Sequence, residues 1–215
     1  AVSQNQEQYG QVGSTKSQYS YTYYDELGRI IEVGETKNLT TMDDATCRSS
    51  SLLTSWHSSA VWHKEITRSY YDTKNEDVNE QFEGGGQQNL RNRVAYTSYD
   101  VDGIGNYDYA SYYSYDIHGN VKELVHDYAD LQAVAFGYFK LKYEYDLISG
   151  NVNKVSYQAG KQDQFYHEYV YDGDNRINQV FTSRDDILRD NDAKYYYYQH
   201  GPLARAEIGE LKVQG

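Results

Sequence analysis

The segment YYSYDIHGNVKELVHDY, residues 112–128, decides the fold of this chain. Its tyrosines alternate before an Asp, and residues two apart lie on the same face of a β-strand. Asp116 can accept a hydrogen bond from a backbone N–H two residues further on, and Gly119 supplies the left-handed conformation that closes a tight turn. The segment therefore predicts a β-hairpin that reverses direction between Asp116 and Asn120.

The same order of residues occurs in three other segments, which are YYDELGRIIEV at 23–33, YEYDLISGNVNKVSY at 143–157 and YVYDGDNRINQVF at 169–181. In every copy a Gly or Asn follows the Asp after three or four residues, and aliphatic residues follow that Gly or Asn after two and five more. Chance rarely supplies both offsets four times. The predicted turn and repeat residues are Tyr24, Asp25, Gly28, Tyr115, Asp116, Gly119, Tyr145, Asp146, Gly150, Tyr171, Asp172 and Asn175.

Tyr-Asp dipeptides are in excess along the whole chain. There are seven, whereas 26 Tyr and 19 Asp in 215 residues give about two by chance (26 × 19/215). Looser copies of the motif lie at 69–78 and 97–106, and the Asp residues at 116, 146 and 172 are 30 and 26 residues apart. Spacings of this size are typical of repeat proteins.

The repeats predict an all-β fold of antiparallel β-hairpins. A lone hairpin is unstable in water, so neighbouring hairpins are expected to pair edge to edge into a curved, twisted sheet. The two aliphatic offsets have opposite parity, which predicts a β-bulge or a local twist between them. Tyrosines on adjacent strands are expected to form ladders, each cross-strand pair contributing ~0.5–1 kcal/mol. No long helix is predicted.

The predicted organisation has four parts. Residues 1–18 form a loose or degenerate segment, and residues 19–39 form one Tyr-Asp repeat. Residues 40–91 form an irregular insert with a weak repeat, including EGGGQQN at 83–89 as a flexible loop or a disordered connection. Residues 92–215 contain the remaining repeats.

Composition limits the classes of partner. The chain has 20 Lys and Arg against 32 Asp and Glu, so its formal charge is −12, which argues against binding to nucleic acid or anionic membranes. No apolar run reaches the ~18 residues of a membrane span. The single cysteine, Cys47, can form no internal disulfide. Any signal peptide is expected to lie outside this sequence.

Candidate catalytic and metal-binding residues are few. The pairs Asp43-Asp44 and Asp185-Asp186 have the polar neighbours of solvated turns, and acid–base catalysis needs a cleft that no spacing shows. His57 and His63 lack a nearby carboxylate or Cys, so they make a poor metal site. No catalytic residue, metal site or cofactor is therefore predicted, and the chain is expected not to be an enzyme.

The aromatic residues have two interpretations. In the simpler one, the tyrosine ladders pack the sheet. In the other, exposed tyrosines together with Trp56 and Trp62 face a ligand and stack on sugar rings or on an unfolded chain. The sequence does not distinguish the inner from the outer face of the sheet.

The quoted segments resemble the Tyr-Asp (YD) repeats of the Rhs family, which includes polymorphic toxins, shell proteins of insecticidal toxin complexes, wall-associated proteins and teneurins. The family motif YDxxGR with an aliphatic tail is matched by YYDELGRIIEV and, with Asn for Arg, by YSYDIHGNV. The stretch at 195–215 resembles the segment leading into the core region of the family. Rhs-like proteins of Bacteroidetes are the nearest in resemblance, which covers residues 20–35 and 92–215.

This resemblance implies a β-ribbon that forms part of a hollow shell. The expected function is a non-enzymatic structural module of a secreted or cell-surface protein that encloses or presents a C-terminal toxin cargo. The alternative is a carbohydrate-binding cell-adhesion module. The expected partners are the C-terminal cargo or adjoining repeats of the parent chain, and glycans in the alternative. The sequence is too short to close a shell, and neither the cargo nor the autoprotease of some members can be carried over.

Overall fold

A computed structural model describes residues 2–4, 18–132 and 137–209 of this chain. Within these residues the prediction of an all-β fold of antiparallel hairpins is confirmed. The strands are β1 Val2–Gln4, β2 Gln18–Tyr24, β3 Ile30–Lys37, β4 Trp62–Tyr71, β5 Val94–Asp100, β6 Tyr109–Tyr115, β7 Val121–Tyr128, β8 Tyr138–Tyr145, β9 Val152–Tyr157, β10 Phe165–Tyr171, β11 Ile177–Ser183, β12 Asp190–Tyr197 and β13 Leu203–Ile208.

Strand order in the sheet follows chain order from β1 to β13, so each strand lies beside its sequence neighbours. The chain divides into two compact units. The first comprises Ala1–Tyr113 and His126–Tyr138, and the second comprises Ser114–Val125 and Phe139–Gly215. The predicted loose segment at 1–18 lies mostly outside the described residues.

Among the strand pairs whose register the structure describes, a β-bulge lies beside the turn in five hairpins. In the β2–β3 hairpin, Tyr24 pairs with Ile30 but Tyr23 pairs with Glu32, so one residue of β3 has no partner. The extra residue lies between the two aliphatic offsets, which confirms the bulge predicted from their parity. In the other four hairpins the register shifts between the last two residues of the first strand. These strands end at Tyr71, Tyr145, Tyr171 and Tyr197.

The first unit contains helices that the sequence analysis did not predict. Helices α1 (Asp44–Arg48) and α2 (Ser50–Ser58) occupy part of the insert expected to be irregular. Asp43 caps α1 by accepting the N–H of Thr46, and Ser49 caps α2 by accepting the N–H of Leu52. Asp43 and Ser49 are residue types that often cap helices, but the Ser/Thr-rich composition of residues 40–62 favours a loop.

Aromatic and aliphatic side chains together form the core of the first unit. Trp56 of α2 packs edge-on against Tyr19 of β2 at 4.9 Å, and its indole N–H donates to the carbonyl of Thr40 at 2.7 Å. Tyr21 covers Gly34 of β3 so closely that an added Cβ would lie 2.7 Å from its hydroxyl oxygen. Glycine is therefore required where this ring crosses the strand.

The 3₁₀ helix Glu76–Gln81 and the EGGGQQN stretch fill the connection between β4 and β5. The prediction of a flexible loop is only partly accurate there, because Gln87 is buried and its amide donates to the carbonyl oxygens of Ala95 and Tyr113. Val78 and Phe82 are also buried. These contacts anchor the excursion to the sheet.

The second unit consists mainly of the hairpins from β8 to β13. The buried carboxylate of Glu123 pairs with the ammonium of Lys140. Gln158 is buried and forms two hydrogen bonds with the backbone of Lys140. Its side-chain Oε1 accepts the N–H of Lys140 at 2.9 Å, and its backbone N–H donates to the carbonyl of Lys140 at 2.9 Å. A short third helix, α3, spans Ala129–Gln132 of the first unit.

Candidate functional site

The aspartates of the repeats organise the hairpin turns. Asp25 donates its N–H to the carbonyl of Arg29 at 2.9 Å, and its Oδ1 accepts the N–H groups of Leu27 and Arg29 at 2.9 Å. Asp172 repeats this arrangement with Asp174 and Arg176. One carboxylate therefore closes each turn and satisfies backbone donors that the turn leaves unpaired.

Asp116 and Asp146 occupy the same place in their own turns. Asp116 accepts the N–H groups of His118, Gly119 and Asn120 at 2.7–2.9 Å. Asp146 accepts the N–H groups of its turn residues two and three positions onward at 3.0 and 2.7 Å. The closing residue of all four turns has a positive φ, namely 78° at Gly28, 101° at Gly119, 74° at Gly150 and 60° at Asn175.

Hydrogen bonds keep these carboxyl groups ionised. The backbone N–H of Arg29 is the main cause of the lowered pKa of Asp25, and the guanidinium of Arg176 is the main cause for Asp172. The backbone N–H of Ser149 does the same for Asp146. Groups that serve as permanent acceptors are poorly suited to proton transfer near neutral pH.

The tyrosine that ends the first strand of a hairpin connects consecutive hairpins, a role that was not predicted from the sequence. Tyr145 donates its hydroxyl hydrogen to the carbonyl of Val121 at 2.8 Å, and Tyr171 donates to the carbonyl of Val152 at 2.8 Å. Equivalent bonds join Tyr71 to Ile30 at 2.8 Å and Tyr197 to Ile177 at 2.7 Å. Each acceptor is the first residue of the second strand of the preceding hairpin. We call these four bonds the tyrosine latches.

An arginine reinforces two of the latches. Arg29 bonds its own turn Asp at 2.6 Å while its guanidinium lies 4.3 Å from the ring centroid of Tyr71. Arg176 does the same between Asp172 and Tyr197, at 2.7 and 4.6 Å. The Arg of the YDxxGR pattern thus joins a turn to the aromatic residue of the next hairpin, which gives a physical reason for that position.

The other two predicted repeat tyrosines differ in exposure. Tyr24 is exposed, and Tyr115 is buried in the second unit. One further turn was missed because it lacks the Asp. In that turn Tyr198 donates its N–H to the carbonyl of Pro202 at 2.9 Å, and Gly201 has a φ of 110°. The QHGP stretch was the available signal.

Tyrosine ladders run on both faces of the first unit. On one face Tyr70 of β4 stacks on Tyr96 of β5 with centroids 4.1 Å apart and planes 12° apart, and Tyr96 stacks on Tyr112 of β6 at 5.4 Å. On the other face Tyr99 lies 5.1 Å from Tyr109. The register Tyr96–Tyr112 and Tyr99–Tyr109 places the two ladders on opposite sides of the sheet.

A depression of about 600 Å³ opens beside the end of the first ladder. Tyr23 of β2 lies on one side, and the Tyr70–Tyr96 stack lies on the other. Between them Glu32 of β3 and Arg68 of β4 are cross-strand partners, joined by a 2.9 Å ion pair. The rim is formed by residues of two turns, which are Asp25, Arg29, Thr73 and Lys74.

The histidines of the first unit form a pair without a metal site. The rings of His57 and His63 lie 4.2 Å apart, and Tyr21 contacts both. Burial, followed by the neighbouring His63, lowers the pKa of His57 to about 4, and burial also lowers the pKa of His63. The part of the chain that the structure describes holds no group of three His, Cys, Asp or Glu residues placed to bind a metal.

The structure contradicts a ligand-facing role for Trp56. Its side chain is only 5% exposed, because it fills the space between α2 and β2. Trp62 is half-buried at the start of β4, with the ammonium of Lys64 5.5 Å from its ring. The predicted tryptophans therefore do not form a common binding surface, whereas the depression, lined by tyrosines, was not predicted.

The other candidate residues have local structural roles. Asp43 caps α1, and Asp185 accepts the N–H groups of Ile187 and Leu188 in the connection after β11. Cys47 is an exposed free thiol. None of the helices in the described ranges is long and apolar enough to cross a membrane.

No family model matches the sequence, and no curated protein matches it. Solved structures do match. A porin-like protein from Bacteroides uniformis matches with 10% identity and a TM-score of 0.38, over 88% of this chain and 58% of that one. The TcdB2–TccC3 complex matches with 14% identity and a TM-score of 0.29, over 89% of this chain and 10% of that one.

The pore of the Photorhabdus luminescens Tc holotoxin matches with 9% identity and a TM-score of 0.23, over 92% of this chain and 14% of that one. The matched structures thus include Tc toxin components, of which this chain spans a small part. All of these TM-scores are below 0.5.

Proposed function

We propose that this chain is a non-enzymatic structural module of a secreted or cell-surface protein of the Rhs/YD-repeat type. It forms part of a wall that encloses or presents a C-terminal toxin cargo of the parent protein. The observation that carries the proposal is the set of tyrosine latches, each of which joins one hairpin to the next by a side-chain bond in addition to backbone pairing.

The latches use the most characteristic residues of the repeat for cohesion. The Asp closes its own turn, the Arg or Asn beside it bonds that Asp, and the Tyr reaches the preceding hairpin. Such a division of roles supports a sheet that resists opening between repeats. The Asp, Arg and Tyr of the motif are thus engaged in structural hydrogen bonds, which makes them poorly suited to acid–base or nucleophilic chemistry.

The test uses the parent polypeptide with its natural C-terminal continuation. Limited proteolysis with mass spectrometry is expected to show a C-terminal fragment that co-purifies with the wall and resists cleavage. A triple variant, Tyr145→Phe with Tyr171→Phe and Tyr197→Phe, removes three latches and is expected to increase the cleavage rate of that fragment.

The control is Tyr169→Phe on β10. It removes a hydroxyl for which the described part of the chain shows no hydrogen bond. It is expected to leave the cleavage rate unchanged. A C-terminal fragment that is cleaved as fast in the wild type as in denaturant would refute enclosure. Equal protection in the triple variant and the wild type would refute the role of the latches.

A further inference from the structure

We infer that the depression in the first unit binds one uncharged pyranose ring of a glycan, with Tyr70 as its stacking platform. Its volume of about 600 Å³ is within the range of small-molecule sites, about 300–1,000 Å³. The inference does not depend on the wall proposal, because it concerns the surface of a single unit.

The aromatic wall of the depression is fixed in place. Tyr70 is 38% exposed although one face of its ring is covered by Tyr96 at 4.1 Å. A ring that is stacked on one side and solvated on the other loses little side-chain entropy when a ligand adds to the open side. The C–H face of a pyranose is apolar and flat enough to pack on such a ring.

The polar groups of the depression are also held in advance. Glu32 accepts the hydroxyl of Tyr21 at 2.8 Å through Oε1 and the Nε–H of Arg68 at 2.9 Å through Oε2. Arg68 further reaches the buried carboxylate of Asp100 at 3.5 Å. A carboxylate has about four acceptor sites and a guanidinium five donors, so both retain capacity for the vicinal hydroxyl groups of a sugar.

The charges favour an uncharged ligand. Each cation that lines the depression already has a carboxylate partner: Arg68 has Glu32, Arg29 has Asp25 and Asp72, and Lys74 has Glu76. An anionic sugar would therefore meet no unneutralised cation, and a cationic ligand would meet no unneutralised carboxylate among these pairs. Hydrogen bonds and ring stacking remain as the means of recognition.

The first experiment probes the intact chain with an array of neutral oligosaccharides that end in glucose, galactose, mannose or N-acetylglucosamine. Sialylated and sulfated versions of the same glycans form a matched arm. We expect binding to a subset of the neutral arm and no gain from added negative charge. Binding restricted to the charged arm, or to neither arm, would overturn the inference.

The second experiment locates the site by titrating the methyl glycoside of the preferred sugar and following the protein by NMR. A dissociation constant of about 1 mM is expected for a single ring. Shifts of the Tyr70 and Tyr96 ring signals in the wild type support the site without any substitution. Shifts confined to the opposite ladder, at Tyr99 and Tyr109, would overturn it.

Substitutions provide the third readout. Tyr70→Ala is expected to weaken binding at least about ten-fold, whereas Tyr70→Phe, which keeps the stacking face, is expected to stay within about two-fold. The matched control is Tyr109→Ala, because Tyr109 is 42% exposed and belongs to the ladder on the opposite face. Equal loss in Tyr70→Ala and Tyr109→Ala would contradict the assignment.

Discussion

The hydroxyl of Tyr171 on β10 lies 2.8 Å from the carbonyl oxygen of Val152, the first residue of β9, and donates a hydrogen bond to it. The acceptor lies at the bulged end of its own hairpin, where the register shift takes backbone groups out of the regular ladder. The tyrosine thus adds a side-chain hydrogen bond at the bulged end of the preceding hairpin. The same hydrogen bond joins Tyr71 to Ile30, Tyr145 to Val121 and Tyr197 to Ile177. A bulge is present beside two of these acceptors, Ile30 and Ile177.

Tyr171→Phe is expected to destabilise the chain by about 1 kcal/mol, because a partly buried hydrogen bond is lost and the ring remains in place. The corresponding fall in the thermal midpoint is about 2–4 °C for a chain of this size. Differential scanning calorimetry measures it. Tyr169→Phe, two residues earlier on the same strand, is the control; an equal fall in both variants would show that the latch contributes nothing.

Gly119→Val is expected to cost about 1–3 kcal/mol, since Gly119 has a φ of 101°, which a β-branched residue rarely adopts. Tyr115→Phe, in the same hairpin, is expected to cost less. Gly119→Asn should also cost less than the valine, because Asn175 holds the equivalent position with a φ of 60°. Chemical denaturation compares the three variants, and equal midpoints for Val and Phe would contradict the turn assignment.

Stability is expected to fall as the pH is lowered from about 6.5 towards 4. Burial holds the pKa of His57 at about 4 in the folded chain, below its usual 6.5. The unfolded chain therefore binds more protons in this window, and its relative population grows as the pH falls. Thermal midpoints measured from pH 7 to pH 4 are expected to fall less steeply for His57→Gln.

The control for this pH dependence is His200→Gln, which changes an exposed histidine in the turn after β12. Its profile is expected to follow that of the wild type. A His57→Gln profile parallel to the wild type would show that the histidine pair does not contribute to acid sensitivity.

Single-tryptophan variants test the two environments. With Trp62→Phe, only Trp56 remains, and its burial at 5% exposure predicts a blue-shifted emission with weak quenching by acrylamide. With Trp56→Phe, only the half-buried Trp62 remains, and stronger quenching is expected. The reverse order of quenching constants would contradict the packing of α2 on β2.

The repeat signal was strong enough to predict the hairpins because turn and strand depend on local residues. Asp172 and Asn175 meet within four residues, so their spacing is written directly in the sequence. The bulge followed from the parity of two aliphatic offsets. The turns and bulges could therefore be predicted because their interacting groups are close along the chain.

Contacts between distant residues were not predictable in the same way. Tyr70 and Tyr96 are paired by the register of β4 and β5, two strands that a long connection separates along the chain, so the depression beside them has no local signature. The helices that bury Trp56 were not predicted for another reason. Their caps were present, but propensity alone does not show that tertiary packing will stabilise two short helices.

The connection at 73–92 has a consequence for how such a chain can diversify. Asp72 still donates its N–H to the carbonyl of Arg93 at 3.2 Å, which is the bond that Asp25 makes to Arg29 across a tight turn. The strand pairing on either side is therefore insensitive to the length of the excursion. A connection between two paired strands can therefore be lengthened, and new surface added there, while the pairing of the strands stays the same.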